Sequence, residues 1–154
     1  MELINVYPNS GSVRKVNSIT HPEFLDKLIA SMRAVGWRGR PLLFEEVLTG
    51  DHVTLFAWTG SHRIDAAAKA PLKTVPGWVM RASEAASAFQ SAGFRIEDMR
   101  AWGSWRSLCG PGDGERYKAL KRAGLHEAAQ MIKEEIEATD GHTIACAALL
   151  EKLK

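Results

Sequence analysis

Cysteine is scarce in this sequence, long apolar runs are missing, and neither sign of charge is in large excess. The two cysteines, Cys109 and Cys146, stand far apart without a Cys-x-x-Cys pair, which argues against a disulfide framework and a cysteine-rich zinc site. No segment approaches the ~18 apolar residues that cross a membrane, and residues 1–20 lack the pattern of a signal peptide. We therefore expect a soluble, cytoplasmic protein with no membrane partner.

Charge and histidine spacing argue against two further classes. The formal net charge is +2, weaker than the basic bias typical of a nucleic-acid-binding domain. The five histidines form no His-x-His or His-Glu-x-x-His spacing, so no zinc site is predicted. The composition, 45% hydrophobic and 25% charged over 154 residues, is that of an ordinary folded chain with a sizeable core.

Strand-like and helical patterns alternate in the first eighty residues and predict a mixed α+β fold. Short apolar runs bounded by turn residues indicate strands, and apolar residues three or four apart indicate helices. Pro76 and Gly77 favour a strand at a sheet edge or a bend. The predicted order is strand 3–7, strand 13–19, helix 20–35, strands 41–44 and 53–58, helix 61–70 and strand 74–80.

From residue 83 onward the patterns are mainly helical. We expect residues 83–154 to form a helical extension that packs on or beside a core of residues 1–82. Trp102 and Trp105 fit packing against the domain better than a stacking platform for nucleic acid, and mixed charges argue against a DNA-binding tail. The predicted helical segments are 83–92, 96–105, 115–123, 125–138 and 143–153.

The most informative segment lies where the strand at 53–58 leads into an alanine-rich helix. Gly60 lets the backbone approach a ligand closely, and Ser61 can cap the helix. His62 and Arg63 project from the first turn, where backbone amides lack helical partners. Because a helix N-terminus with an arginine suits phosphoryl oxygens, these four residues are predicted to bind phosphate. The alternative is a plain helix cap with solvated side chains.

This segment resembles the signature of the ParB/sulfiredoxin-like superfamily, in which a strand leads into Gly-x-His-Arg and a helix of small residues. The helix and glycine at 25–36 and the Pro-Leu-Leu-Phe strand at 41–44 are similar to the elements that precede that signature. The resemblance covers residues 13–80. It implies a small mixed sheet with helices, and a phosphate-binding core at residues 1–82.

The superfamily includes sulfiredoxins, a free-serine kinase, partition proteins that bind and hydrolyse CTP, and some ATPase or nuclease proteins. Ser61 stands where sulfiredoxins have their reactive cysteine, so a thiol-dependent mechanism is not implied. The Glu-Asn-x-Gln-Arg motif of the partition proteins is missing, and no helix-turn-helix pattern follows. The resemblance implies a phosphate site, with Arg63 as charge clamp and His62 as ring donor, and leaves the reaction open.

Three acids are candidates for holding Mg²⁺ or for accepting a hydroxyl proton. Glu45 and Glu46 follow the predicted strand at 41–44, and Asp65 lies in the helix that carries the signature. These residue types suit both roles because a carboxylate binds hard cations and takes up protons. The alternative for each is a solvated surface acid.

A basic loop with one tryptophan precedes the strand at 41–44. Arg38 and Arg40 offer further phosphate contacts, and Trp37 offers a ring on which a base can stack. A core tryptophan beside a solvated basic loop is the alternative. No metal site made by the protein alone is predicted.

The preferred hypothesis is a protein that binds ATP, ADP or CTP with Mg²⁺ and either hydrolyses the nucleotide or transfers a phosphoryl group. The alternative is a non-catalytic or nuclease-like protein of plasmid or phage type, in which the same site meets a DNA or RNA phosphate. A third hypothesis is an antagonist or adaptor that acts through its helical tail. The sequence does not choose the nucleotide or the acceptor.

Overall fold

The computed structural model describes residues 1–15, 22–99, 103–110 and 112–140. Cys146 and the predicted helix at 143–153 lie outside these residues, as do Trp102, residues 16–19 of the second predicted strand and residues 20–21 of the first predicted helix. The strands are β1 Glu2–Val6, β2 Val13–Lys15, β3 Leu42–Thr49, β4 His52–Ala57 and β5 Val75–Met80. The helices are α1 Pro22–Val35, α2 Ser61–Lys69, α3 Ala82–Ser91, α4 Asp113–Arg122 and α5 His126–Asp140, with short 3-10 helices at Ile96–Asp98 and Trp105–Leu108.

The five strands form one mixed sheet in the order β1-β5-β3-β4-β2. β3 lies at the centre, parallel to β5 and antiparallel to β4. β1 runs antiparallel to β5, and β2 runs parallel to β4. The sheet and its helices confirm the predicted α+β fold class.

A tight hairpin joins β3 to β4 and sets their register. Thr49 faces His52 across a turn in which Gly50 has φ 60°, a left-handed conformation that glycine adopts readily. β3 is longer than predicted, because the residues after Phe44 continue to pair with β4 up to the turn. The extension places Glu45 and Glu46 within the central strand.

α1 and α2 cover one face of the sheet. Leu28 and Met32 of α1 and Ile64 of α2 are buried against Leu42 and Phe44 of β3. Such burial of apolar surface stabilises the fold by about 25 cal/mol per Å². The Arg33 guanidinium on α1 donates to the carbonyl oxygen of Ala70 at 2.9 Å, so a cation satisfies the C-terminal end of α2.

The other face of the sheet is covered by the elements that follow β5. Leu43 and Trp58 share a second core with Phe89 of α3, Leu120 of α4 and Ile132 of α5. The Trp105 ring, which is 3% exposed, stacks on Phe89 with ring centroids 5.4 Å apart. Trp105 therefore packs against the domain within the second core, as the sequence predicted.

Pro76 contradicts the expectation of an edge strand or a bend, because β5 lies inside the sheet between β1 and β3. The pairing with β3 begins only at Gly77, so at Pro76 the strand is flanked by β1 alone. A proline, which has no N–H to donate, is tolerated at such a local edge. Gly77 has a packing reason: a Cβ there would lie 2.7 Å from Val6 and 2.9 Å from Phe44.

None of the helices within the described ranges has the length and apolar character required to cross a bilayer.

Candidate phosphate-binding site

Gly60 forms the junction between the strand β4 and the helix α2, as the sequence predicted. Its backbone is left-handed, with φ 71° and ψ 36°, a conformation that costs other residues energy. A Cβ at this position would also collide with the Leu42 side chain and lie 3.4 Å from the Arg63 guanidinium. Both reasons require glycine here, and the backbone at Gly60 lies close to the Arg63 guanidinium.

Arg63 is the centre of the site. Its Nη1 donates to the carbonyl oxygen of Arg40 at 2.9 Å, and its Nη2 forms an ion pair with Oε1 of Glu135. The guanidinium carbon lies 5.4 Å from the centre of the Trp37 ring, within the range of a cation–π contact. These contacts orient a side chain that is 16% exposed.

Arg40 places a second positive charge at the same carboxylate. Its Nη2 lies 3.5 Å from Oε1 of Glu135, and its side chain is 42% exposed. Two guanidinium groups therefore meet one anionic oxygen beside the N-terminus of α2. Guanidinium groups bind carboxylates and phosphates through the same fork of donors, so the arrangement can bind an anion.

Trp37 lines this site with its indole ring. Its ring is half-buried, and its Nε1 is buried with no hydrogen-bond partner among the residues that the structure describes. A buried indole N–H usually has an acceptor. The predicted grouping of Trp37, Arg40 and Arg63 is therefore present in the structure, while Arg38 of the same loop is exposed.

His62 and Asp65 lie on the same helix as Arg63 but at other angles around its axis. On an ideal helix Asp65 is turned by about 200° from Arg63, whereas His62 and Asp65, three residues apart, share a side. Asp65 pairs with Nζ of Lys69 at 3.1 Å. His62 is half-buried. For Ser61 the structure gives its position as the first residue of α2.

Glu45 lies in a buried hydrogen-bond network. It is 1% exposed. Its Oε1 accepts from Nε1 of Trp58 at 3.0 Å and from Oγ of Ser104 at 2.7 Å, and its Oε2 accepts from the backbone N–H of Trp105 at 3.0 Å. Burial raises the pKa of the Glu45 carboxyl above its ordinary value, while these hydrogen bonds oppose that rise. The network joins β3 to the segment around Trp105.

Glu46 has a different set of contacts from its neighbour. Its Oε2 lies 2.8 Å from Nη1 of Arg81, and its Oε1 accepts from the backbone N–H of Ala82 at 3.0 Å. Since Ala82 is the first residue of α3, the carboxylate satisfies an amide at the start of that helix. The contacts described for Glu46 therefore link β3 to α3.

Glu135 is the site residue that the sequence did not reveal. It lies on α5, 72 positions from Arg63, within an amphipathic pattern that predicts charges facing solvent. Its acidic neighbours Glu134 and Glu137 give no signal that separates it from them. Only the packing of α5 brings its carboxylate to the two arginines.

The structure thus defines an α+β domain with two arginines at a strand-to-helix junction. No protein-family model matches the chain. The comparison with curated proteins finds no match either.

Several solved structures are similar to this one. Sulfiredoxin from Arabidopsis thaliana matches with a TM-score of 0.42 and 20% identity, covering 53% of this chain and 86% of that one. ParB from Caulobacter crescentus, complexed with CTP-gamma-S, matches with a TM-score of 0.43 and 19% identity over 78% of this chain. The same ParB complexed to its parS site matches with a TM-score of 0.41 and 20% identity over 84% of this chain.

The chain spans 63% of the length of each ParB chain. At 19–20% identity and TM-scores of 0.41–0.43, these are similarities of fold, and nothing about ligand or activity follows from them.

Proposed function

We propose that this chain binds a nucleotide through its phosphate groups at the N-terminus of α2. The observation that carries the proposal is the pair of guanidinium groups, from Arg63 and Arg40, that meet one carboxylate oxygen beside the left-handed Gly60. Phosphoryl oxygens present the same acceptors to these donors and carry more charge. The N-terminal end of α2 favours an anion at the same place.

Trp37 gives this site a partner for the rest of the nucleotide. Its ring borders Arg63, and its buried Nε1 has no acceptor within the described part of the chain. A nucleobase or ribose beside the half-buried ring would gain a stacking surface. The proposal therefore concerns a nucleotide rather than free phosphate alone.

Turnover with Mg²⁺, by hydrolysis or by phosphoryl transfer, is the further part of the proposal. Among the described residues no three His, Cys, Asp or Glu side chains form a group that could hold a metal ion. Mg²⁺ commonly keeps several waters and binds substrate phosphates with only one or two carboxylates. In this proposal the ion therefore enters with the phosphates. Asp65 stays the candidate acid from the sequence, although it is turned away from Arg63 on α2 and pairs with Lys69, and Asp65→Asn with phosphate release as the readout tests its role.

The site is tested by thermal unfolding with ATP, ADP, CTP and GTP, each with and without Mg²⁺. A ligand that binds only the folded state raises its stability, by about 2.7 kcal/mol at a hundredfold excess over Kd. We expect one or more nucleotides to raise the Tm of the wild type. Arg63→Ala should weaken binding by roughly 1.5–3 kcal/mol, the contribution of a charge-assisted hydrogen bond, and Arg63→Lys should restore part of it.

Arg95→Ala is the matched control. Arg95 is 68% exposed and pairs with Glu97 in a short 3-10 helix, so its loss removes the same charge away from the site. Equal shifts in wild type and Arg63→Ala would contradict the proposal. If no nucleotide raises the Tm, binding to DNA at several salt concentrations tests the alternative, because neutralised phosphates release counterions.

A further inference from the structure

In this structure the Glu135 carboxylate occupies the position beside Arg63 and Arg40 that a bound phosphate would take. Its Oε1 pairs with Nη2 of Arg63 and lies 3.5 Å from Nη2 of Arg40. The side chains of Glu135 and Arg63 are each 16% exposed and that of Arg40 is 42% exposed, so the cluster is only partly exposed and a ligand can reach it. A phosphate that uses the same guanidinium groups meets this carboxylate first.

The two anions compete for a limited set of donors. Nη1 of Arg63 is engaged with the carbonyl oxygen of Arg40, and Nη2 is engaged with Glu135. A phosphoryl oxygen that takes over the N–H of Nη2 paired with Glu135 displaces the carboxylate, and one that takes the second N–H of Nη2 lies directly beside it. If both anions stayed, two negative charges would lie within a few ångströms of each other, at a cost that grows as water is excluded.

α5 is held to the rest of the molecule in two separate ways. Its residues Ala128, Ala129 and Ile132 are buried in the second core, at 1%, 2% and 0% exposure. Glu135, one turn further along, reaches Arg63 of α2 and Arg40 of the loop before β3 instead. The apolar contacts can therefore keep α5 in place while the ion pair at Glu135 opens and closes.

We propose that Glu135 is an internal competitor that closes the phosphate site until a phosphorylated ligand displaces it. This inference rests on the proposed function and adds its regulation. By thermodynamic linkage, a ligand that displaces Glu135 weakens the attachment of α5, and anything that draws α5 away strengthens ligand binding. Nucleotide binding would thus loosen the last turns of α5 at the protein surface.

The test compares Glu135→Gln with the wild type in titrations with pyrophosphate and with the nucleotides ATP and CTP. Glutamine keeps the size of the side chain and removes the competing charge. We expect Glu135→Gln to bind these ligands roughly 5- to 150-fold more tightly, the range of ordinary coupling between two sites. Circular dichroism and Tm confirm that the variant is folded.

Glu137→Gln is the matched control, because it removes the same charge from the same helix at an exposed position. Its affinities should equal those of the wild type, and an equal gain in both variants would mean general electrostatics and overturn the inference. Unchanged or weaker binding in Glu135→Gln, with binding still lost in Arg63→Ala, would overturn the competition and leave the proposed function standing. If neither the wild type nor Glu135→Gln binds any of these ligands, both proposals fail.

A second readout follows α5 itself. Hydrogen exchange of the α5 amides in the wild type should quicken when pyrophosphate is added, since the ligand takes the partner of Glu135. The same amides in Glu135→Gln should exchange faster without ligand and respond little to it. Exchange that is identical in both proteins, with and without ligand, would contradict the displacement of Glu135.

Discussion

Glu45 and Glu135 are both enclosed carboxylates, but the protein satisfies them in different ways. Glu45 is 1% exposed and is held by neutral donors from Trp58, Ser104 and the backbone of Trp105. Glu135 is 16% exposed at its side chain and is held by the guanidinium groups of Arg63 and Arg40. The first is part of the core, and the second lies where solvent and ligands can reach its partners.

The difference teaches which acid is suited to exchange partners. Neutral donors fixed within a core lose their hydrogen bonds outright if the carboxylate leaves, since no water can replace it. Arginines near the surface lose much less free energy when their carboxylate partner leaves, because another anion or water takes its position. A carboxylate of the second kind can act in ligand binding, whereas one of the first kind stabilises the fold.

The largest expected effect is the loss of stability when Glu45 is replaced. In Glu45→Gln the amide nitrogen would face at least one donor that now has a carboxylate oxygen, and an unsatisfied buried donor costs about 1–3 kcal/mol. Glu135→Gln should cost at most about 1 kcal/mol, as expected for a partly exposed ion pair. Urea unfolding of both variants, with the m-value checked for each, measures the two changes.

Equal losses in the two variants would remove the distinction between the carboxylates. A larger loss for Glu135→Gln would mean that the ion pair with the arginines is the structural one. In either case Glu135 would be unsuited to the exchange proposed above.

Much of the fold was predictable because its boundaries are marked locally. Gly36 ends α1 and Gly50 lies in the hairpin turn, both in the left-handed conformation with φ 75° and 60°. The spacing of apolar residues indicated which segments are helical. The place of β5 was not predictable, because tolerance of Pro76 depends on where the neighbouring strand begins. That is a property of the assembled sheet, and residues 74–80 do not encode it on their own.

The candidate site was predictable only in part. Gly60 and Arg63 carry a local pattern, and the structure brings Trp37 and Arg40 to them, although these loop residues are more than twenty positions away. The position of Glu135 depends on how α5 packs in the second core, so no pattern in the neighbouring sequence indicates its role. The sequence predicts Glu45 as a candidate catalytic acid, whereas its burial follows from the length of β3 and the packing of Ser104 against it.

A smaller effect concerns the pH dependence of stability, which should differ between wild type and Glu45→Gln. Burial raises the pKa of Glu45 above its ordinary value of 4.5, so in the interval above pH 4.5 the folded state binds more protons than the unfolded state. Stability contributed by this group therefore falls as pH rises through that interval. The slope for one group is at most about 1.4 kcal/mol per pH unit.

Glu45→Gln lacks this titration, so the difference in unfolding free energy between the two proteins isolates it. We expect the substitution to cost more at pH 4.5 than at pH 7, as measured by urea unfolding at each pH. Glu135→Gln serves as the comparison from the other carboxylate. A difference between wild type and Glu45→Gln that is constant with pH, or grows as pH rises, would contradict the raised pKa.

The smallest effect is one of reactivity, and it sharpens the contrast between the two regions. Cys109 lies in the region around Glu45, where its Sγ donates to the carbonyl oxygen of Trp105 at 3.8 Å. Burial raises the pKa of the Cys109 thiol to about 11, so at pH 8 only about one molecule in a thousand carries the reactive thiolate. Iodoacetamide should therefore modify Cys109 at least ~100-fold more slowly in the folded chain than in urea, as followed by mass spectrometry of its peptide. Pyrophosphate at the arginines should leave that slow rate unchanged, because the core around Glu45 does not exchange its partners. A folded-state rate equal to the rate in urea would show that this region opens as readily as the site at Arg63.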